Sequence, residues 1–267
     1  MSELKIHSSL CHPNIVQFDH YFESKGDIYI LLELCYNQTM GELLSRRIRL
    51  TELETQCYLV QIIEGAKCLH EHKVIHRDLK LHNLFLNENM KLKIADFGLA
   101  TKLEFKGERR RTICGTPNYI APEIISEIGG YSHEVDIWSI GVILYVLLFG
   151  IFPFERGDIK STYNRIKTCS YNFPKHIKVS DSAKDLINKI FNLNPIKRPA
   201  LDLILNHPFF LQNKVPILMP IHTLVCPPSI IFMKQYIPVV EKNSKKEISI
   251  VAHSTDSKEK VKNDLKS

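Results

Sequence analysis

The sequence predicts an α+β protein in which a short β-rich segment precedes a larger, mainly helical region. Residues 14–35 contain an alternating segment, the turn sequence Ser24-Lys-Gly-Asp27 and a β-rich apolar run, which together predict two strands and a turn. From Thr51 the apolar residues recur at helical spacing, and Thr51 with Glu54 predicts a capping box at the helix start. The run 137–154 holds 18 residues without a charge and predicts a helix buried inside the helical region.

Shorter elements follow the first long helix. Strand-like pieces are expected at residues 83–86 and 92–94, and a polar, basic loop at residues 101–116. Helical segments are expected to include residues 182–192 and 201–206. We therefore assign most of the chain after the predicted hairpin to helices and their connections.

The composition changes after about residue 212. Prolines interrupt an apolar stretch in residues 213–240, which predicts an extended arm lying on a surface. Residues 241–267 contain Lys, Ser, Glu and Asp but no aromatic side chain, which predicts a disordered charged tail or linker.

Composition excludes a wholly disordered chain and a collagen-like chain. A chain of 267 residues with 44% hydrophobic and 24% charged residues is an ordinary soluble globular mixture. Its 35 basic and 29 acidic side chains leave a net charge of +6, too small an excess to predict nucleic-acid binding. The seven cysteines form no Cys-x-x-Cys pair, which predicts reduced thiols in the cytoplasm or nucleus.

The run 137–154 also raises the alternative of a membrane span. Its 18 uncharged residues reach the lower length limit for a span. The run contains glycines and a proline, however, and Glu134 and Asp136 directly precede it. We therefore interpret it as a buried core helix and expect no membrane partner.

The segment from His76 to Asn83 holds groups suited to phosphoryl transfer. Asp78 is expected to accept or orient the proton of an attacking hydroxyl, and Lys80 to offset charge on the phosphoryl group. Asn83 is expected to bind a magnesium ion. Taken alone, the segment could also be a solvated loop.

Three further motifs follow in order. Asp96, in Asp96-Phe-Gly98, could hold magnesium against ATP phosphates, with Gly98 allowing a sharp turn. Glu123 is predicted to pair with Arg198, an interaction that matters only if the pair is buried. Asp136, at the start of the buried helix, is predicted to cap the backbone of residues 76–83, called the catalytic segment below.

Together these motifs resemble a eukaryotic protein kinase, and Lys80 with Gly115-Thr-Pro117 resembles the serine/threonine branch. The closest resemblance is to the polo-like kinases, and it covers about residues 3–232. The segments that carry it are Leu32-Glu-Leu-Cys35, Leu81-His-Asn-Leu-Phe-Leu-Asn-Glu88, Phe97-Gly-Leu-Ala-Thr-Lys102, Cys114-Gly-Thr-Pro-Asn-Tyr-Ile-Ala-Pro-Glu123, Phe173-Pro-Lys-His-Ile177, Val215-Pro-Ile-Leu-Met-Pro-Ile221 and Val225-Cys-Pro-Pro228.

The resemblance implies ATP and Mg²⁺ as cofactors and a set of adenine contacts. Glu33 and Cys35 would offer backbone groups to adenine, Leu32 would be the gatekeeper, and Phe85 would lie beneath the ring. A cysteine or phenylalanine at such positions could also be plain core.

The resemblance also implies an activating phosphorylation site at Thr112, which an upstream kinase would phosphorylate. A phosphate there would add nearly two negative charges and could pair with Arg77, which would order the loop. The alternative is a solvated, basic and unmodified loop.

The resemblance implies a two-lobe kinase fold with a truncated β-rich small lobe, residues 1–35, and a complete, mainly helical large lobe, residues 36–212. The 267 residues hold no Gly-rich phosphate loop and no strand lysine of the kinase type. Glu3 occupies the position of the kinase helix glutamate, and its lysine partner would lie upstream of Met1. The 27 residues after Val240 are too few for a polo-box domain.

The function expected from the resemblance is transfer of the ATP γ-phosphoryl group to Ser or Thr of protein substrates, in cell-cycle or mitotic control. The alternative is a catalytically impaired binding module that docks proteins through its helical surface, suggested by the missing phosphate clamp and an exposed hairpin. We expect a cytoplasmic or nuclear protein; a centrosome or spindle location follows only from the resemblance.

Overall fold

A computed structural model describes residues 2–105, 107–127 and 129–236. The predicted tail, residues 241–267, and the end of the predicted arm lie outside the described residues. The helices are α1 (Ser2–His7), α2 (Met40–Arg47), α3 (Glu52–Glu71), α4 (Pro122–Ser126), α5 (Glu134–Phe149), α6 (Ile159–Lys167), α7 (Asp181–Ile190), α8 (Leu201–Leu205), α9 (Pro208–Leu211) and α10 (Ile230–Lys234). The strands are β1 (Phe18–Ser24), β2 (Asp27–Leu32), β3 (Val74–Ile75), β4 (Leu84–Leu86), β5 (Leu92–Ile94) and β6 (Thr101–Lys102).

The predicted hairpin is confirmed. β1 pairs antiparallel with β2, and the turn places Lys25 and Gly26 at positive φ, as the turn sequence requires. The hairpin is anchored at its open end, where the Glu33 amide donates to the Gln17 carbonyl at 2.9 Å. Several large apolar side chains of the hairpin are exposed: Tyr21, Phe22, Ile28, Tyr29, Leu31 and Leu32.

Helix α3 begins at the predicted capping box. The Glu54 amide donates to Thr51 Oγ1 at 3.3 Å, and the Thr51 amide donates to Glu54 Oε2 at 2.9 Å. Most of the helix is buried and packs on α5 and β5. Because α3 leads directly to β3 and the segment His76–Asn83, its start and packing fix where the candidate catalytic residues lie.

Residues 137–149 of the uncharged run lie in α5, a buried core helix as predicted, whereas residues 150–154 follow the end of the helix at Phe149. Every residue from Val135 to Phe149 is buried. A Cβ atom on Gly141 would lie 2.4 Å from Ile190 Cγ2, so glycine allows α5 and α7 to pack closely. Within the described ranges, no helix is long and apolar enough to cross a membrane.

The short strands agree only partly with expectation. β4 and β5 form an antiparallel pair near the predicted positions, whereas Asn83 belongs to a 3₁₀ turn, Leu81–Asn83. The prediction that residues 101–116 form only a loop is wrong at Thr101–Lys102, which pair with Val74–Ile75. A two-residue strand is too short to produce an alternating pattern, and its pairing depends on contacts distant in sequence.

The arm lies against the helical region as far as the structure describes it. Met219 and Thr223 are buried, and the buried Arg47 guanidinium donates to the Thr223 carbonyl. The arm is not wholly extended, because it contains the 3₁₀ turn Ile221–Leu224 and α10.

Candidate active site

Asp78 lies at the centre of a hydrogen-bonded cluster. Lys80 Nζ is 2.7 Å from Asp78 Oδ2, and Thr116 Oγ1 donates to Oδ1 at 2.6 Å. Asn83 Nδ2 donates to the Asp78 carbonyl at 2.9 Å and approaches Oδ2 at 3.3 Å. The residue is only 6% exposed. These donors fix the orientation of a carboxylate that needs access to one substrate proton.

Thr116 was not among the predicted site residues. Its hydroxyl donates to Asp78 and accepts from Lys80 Nζ at 3.1 Å, so it joins the two groups. The sequence signal for Thr116 is Gly115-Thr-Pro117, which by itself indicates only the serine/threonine branch.

Asp136 holds the backbone that precedes Asp78. Its carboxylate accepts from the His76 and Arg77 amides, each at 3.0 Å, and from His70 Nε2 at 2.9 Å. Arg77 has φ 67°, a strained conformation for a residue with a side chain, which these bonds stabilise. Burial raises the pKa of Asp136, but the His70 hydrogen bond, nearby histidines and the Arg77 amide outweigh it and leave the pKa below its usual value. The carboxylate therefore remains charged near neutral pH.

Asp96 lies two residues after β5. It is exposed and has φ 64°. Gly98 lies in the turn that follows, as expected, and the Ala100 amide donates across that turn to the Phe97 carbonyl at 2.9 Å. Phe97 anchors the turn, because its buried ring packs 4.6 Å from the His7 ring and 5.3 Å from the His76 ring, measured between centroids. A buried ring on one side leaves the Asp96 carboxylate on the open side.

Asn83 and Asp96 provide an oxygen donor set that fits Mg²⁺. The Ala95 amide donates to the Asn83 carbonyl at 2.9 Å, which brings the two segments together. The Asn83 side-chain nitrogen donates to Asp78. Among the described residues, none donates to the side-chain oxygen of Asn83. The carboxylate and the amide oxygen are therefore both available to a hard cation.

The predicted adenine contacts lie where β2 ends and along β4. Lys93 Nζ is 2.7 Å from both Glu33 carboxylate oxygens, and Lys93 pairs with Phe85 in the β4–β5 ladder. Cys35 is half-buried, and burial raises the pKa of its thiol to about 11. Leu32 is 42% exposed. The Lys93–Glu33 contact, which the sequence does not predict, joins the hinge segment, residues 33–35, to β5, the strand that pairs with β4 and its Phe85.

Arg77 and Thr112 are brought together through a third residue. Arg77 Nη1 donates to the Tyr131 hydroxyl at 3.0 Å, and that hydroxyl donates to the Thr112 carbonyl at 2.7 Å. The Thr112 side chain is exposed. The loop is thus held close to the catalytic segment.

The three remaining predicted residues differ in their environment. Arg198 and Glu123 form a buried, two-bond ion pair at 2.6 and 2.7 Å. Glu3 makes no hydrogen bond or ion pair with residues 2–105, 107–127 or 129–236, although a Cβ atom on Gly98 would lie 3.8 Å from its Oε2. Glu3 therefore lies beside the Asp96–Gly98 segment.

Comparisons with known proteins agree with this geometry. A model of the protein kinase domain matches residues 1–210. The probable serine/threonine-protein kinase CCRP1 of Zea mays is 59% identical over 88% of this chain and 38% of its own length. The serine/threonine-protein kinase polo of Drosophila melanogaster is 50% identical over 85% of this chain and 39% of its own length. The cell cycle serine/threonine-protein kinase CDC5/MSD2 of Saccharomyces cerevisiae is 50% identical over 79% of this chain and 30% of its own length.

The matched region thus spans less than two fifths of each of these relatives. The match to the kinase-domain model, residues 1–210, includes Asp78, Asn83, Asp96 and Glu123. The chain belongs to the protein kinase family, in its polo-like serine/threonine branch.

Proposed function

We propose that the chain carries the catalytic apparatus of a polo-like protein kinase that transfers the ATP γ-phosphoryl group to Ser or Thr of protein substrates. The observation that supports this most directly is the Asp78 carboxylate, held by Lys80 and Thr116 beside the oxygen donors of Asn83 and Asp96. Family membership implies ATP, Mg²⁺ and protein substrates in general.

The proposed step is a direct displacement. The substrate hydroxyl oxygen forms a bond to the γ-phosphorus, the bond to the oxygen that bridges to the β-phosphate breaks, and ADP leaves. Asp78 orients the hydroxyl and takes its proton. Lys80, 2.7 Å from Asp78, provides positive charge beside the group in transfer.

The remaining site residues receive binding roles in the proposal. Asn83 and Asp96 would hold Mg²⁺, which neutralises charge on the phosphates when bound. The backbone of Glu33 and Cys35 would contact adenine, with Leu32 as gatekeeper and Phe85 beneath the ring.

Other residues receive regulatory or structural roles. Thr112 would be phosphorylated by an upstream kinase, and the phosphate would pair with Arg77. The structural residues of the proposal are Glu3, Glu123, Asp136 and Arg198.

The finer assignments of organisation and context are also proposals. Residues 1–35 would form part of a kinase small lobe, 36–212 the large lobe, 213–240 the arm and 241–267 a charged tail. We further propose a role in cell-cycle control in the cytoplasm or nucleus, with a centrosome or spindle location by similarity, and neither nucleic acid nor membrane as a partner.

A phosphoryl-transfer assay of the purified chain tests the proposal. With Mg²⁺, labelled ATP and casein, the chain should label casein, and Asp96→Asn should abolish labelling while its circular dichroism remains that of the parent. Asp202→Asn, which alters an exposed carboxylate on α8, should keep full activity. Absence of transfer by the unsubstituted chain, or full transfer by Asp96→Asn, would contradict the proposal.

The exposed hairpin favours a second candidate, a binding module without catalysis. Phe22 and Tyr29 stack at 5.0 Å between centroids on the hairpin, and both are about half exposed. Magnesium-dependent ATP binding together with casein phosphorylation would exclude this candidate.

A further inference from the structure

Tyr131, just before α5, has a buried ring and a hydroxyl with two partners. The hydroxyl accepts from Arg77 Nη1 at 3.0 Å and donates to the Thr112 carbonyl at 2.7 Å. Cys114 Sγ lies 3.9 Å from the same oxygen. Burial raises the pKa of Tyr131, so the hydroxyl keeps the proton that it donates. One oxygen atom therefore joins the catalytic segment to the basic loop.

The backbone of Tyr131 joins the same loop. Tyr131 and Arg110 exchange two backbone hydrogen bonds, each 2.8 Å long. Gly130 has φ 71°, and a Cβ atom there would lie 2.8 Å from the Arg110 carbonyl oxygen, so this close approach requires glycine. The loop is thus pinned by the backbone at Arg110 and by the hydroxyl at Thr112.

The Arg77 end of the link is equally constrained. Its amide donates to Asp136 at 3.0 Å, and its Nε donates to the Leu99 carbonyl at 2.5 Å. The Tyr131 hydroxyl is the third point of attachment. Arg77 directly precedes Asp78, so the Arg77 side chain connects the loop to the backbone beside Asp78.

We propose that the Tyr131 hydroxyl is a positioning group that couples the Thr112 loop to Arg77 while Thr112 is unphosphorylated. This inference rests on the proposed kinase function. A phosphate on Thr112 would engage Arg77 directly, because a charge-assisted bond to a guanidinium is stronger than a neutral one. The hydroxyl is then most important before modification and less important after it.

Tyr131→Phe tests the proposal, because it removes the hydroxyl and keeps the buried ring. Steady-state rates are measured on chains with threonine or with translationally incorporated phosphothreonine at position 112. We expect kcat/KM of the unphosphorylated variant to fall about 3- to 10-fold, the loss set by a neutral hydrogen bond, and that of the phosphorylated variant to fall less than about twofold. Limited proteolysis between residues 104 and 116 should also be about 3- to 10-fold faster in the unphosphorylated variant.

Tyr145→Phe is the matched control. Tyr145 is also buried, and its hydroxyl also donates to a backbone carbonyl, that of Asn172 at 2.6 Å. Tyr145→Phe should leave kcat/KM unchanged in the phosphorylated and unphosphorylated forms, and it should leave the proteolysis rate unchanged. An equal loss in the phosphorylated and unphosphorylated forms of Tyr131→Phe, or no loss in either form, would overturn the proposal.

The two readouts separate this inference from the proposed function. If the unsubstituted chain transfers no phosphoryl group, the proposed function fails and the proteolysis rates alone decide on the link. Unchanged proteolysis in Tyr131→Phe then overturns the coupling, and acceleration in that variant alone supports it.

Discussion

Arg198 donates to both carboxylate oxygens of Glu123, at 2.6 and 2.7 Å, and the Arg198 side chain is fully buried. It also donates to the Asn192 and Glu134 carbonyls and lies 5.0 Å from the centre of the Trp138 ring. Arg198→Met would leave the buried Glu123 carboxylate without its counter-ion. The free energy of unfolding should therefore fall by about 3–5 kcal/mol, measured by urea denaturation.

Lys184→Met provides the control for that prediction. Lys184 pairs with Asp181 on the surface of α7, and such exposed pairs contribute little. Its denaturation midpoint should match that of the parent. A loss below about 1 kcal/mol in Arg198→Met would mean that the Glu123 pair does not stabilise the fold.

Asp136→Asn should slow catalysis without preventing folding. The His76 and Arg77 amides donate to different oxygens of Asp136, and asparagine replaces one of these oxygens with an NH₂ group, which cannot accept. Arg77, at φ 67°, loses part of what holds its strained backbone. Since an unsatisfied buried amide costs about 1–3 kcal/mol, kcat should fall roughly 5- to 150-fold. Steady-state kinetics with varied ATP measures the effect.

Ser139→Ala separates this effect from general damage to α5. The Ser139 hydroxyl is on the same helix and donates to the Tyr119 and Val135 carbonyls, and it does not contact the His76 or Arg77 amides. Ser139→Ala should lower the free energy of unfolding slightly and leave kcat within about twofold of the parent value. Equal losses of kcat in the two variants would argue against a specific role for Asp136.

Features with a local pattern could be predicted from the sequence. The hairpin turn, the Thr51–Glu54 capping box and the uncharged run of α5 each depend on residues close in sequence, so propensity and burial agree. Asp78, Lys80 and Asn83 lie within six residues of one another, and their spacing alone places them in one site.

Other features depend on contacts between distant segments. Thr116 reaches Asp78 across 38 residues, and Tyr131 reaches Arg77 across 54. Neither contact produces a repeat or a spacing rule that a single sequence reveals. The same holds for the β3–β6 pair and for the packing of the buried Phe97 ring on the His7 ring.

Lys93→Met should weaken nucleotide binding more than it slows turnover. Lys93 contacts both Glu33 carboxylate oxygens, and Glu33 also accepts from the Gln17 amide at 3.0 Å, so the hinge is attached to β5. Releasing that attachment should raise the KM for ATP about tenfold and change kcat less than about threefold. Lys91→Met, two residues earlier at a partly exposed position, should leave both constants unchanged, and Lys93→Arg should restore most of the affinity. A fall in kcat alone would contradict this role.

Acid should destabilise the fold through buried and partly buried histidines. Burial lowers the pKa of His7, His76 and His133 below the ordinary 6.5. Between each lowered pKa and 6.5 the unfolded chain binds more protons than the folded one, so the free energy of unfolding falls as pH falls. Urea denaturation at pH 7.5 and 5.5 measures the loss.

His133→Phe keeps a ring against His70 and should reduce the loss by up to about 1.4 kcal/mol per pH unit below 6.5. The exposed His176→Phe should show the same loss as the parent, and an unchanged loss in His133→Phe would exclude this histidine as a source of acid sensitivity.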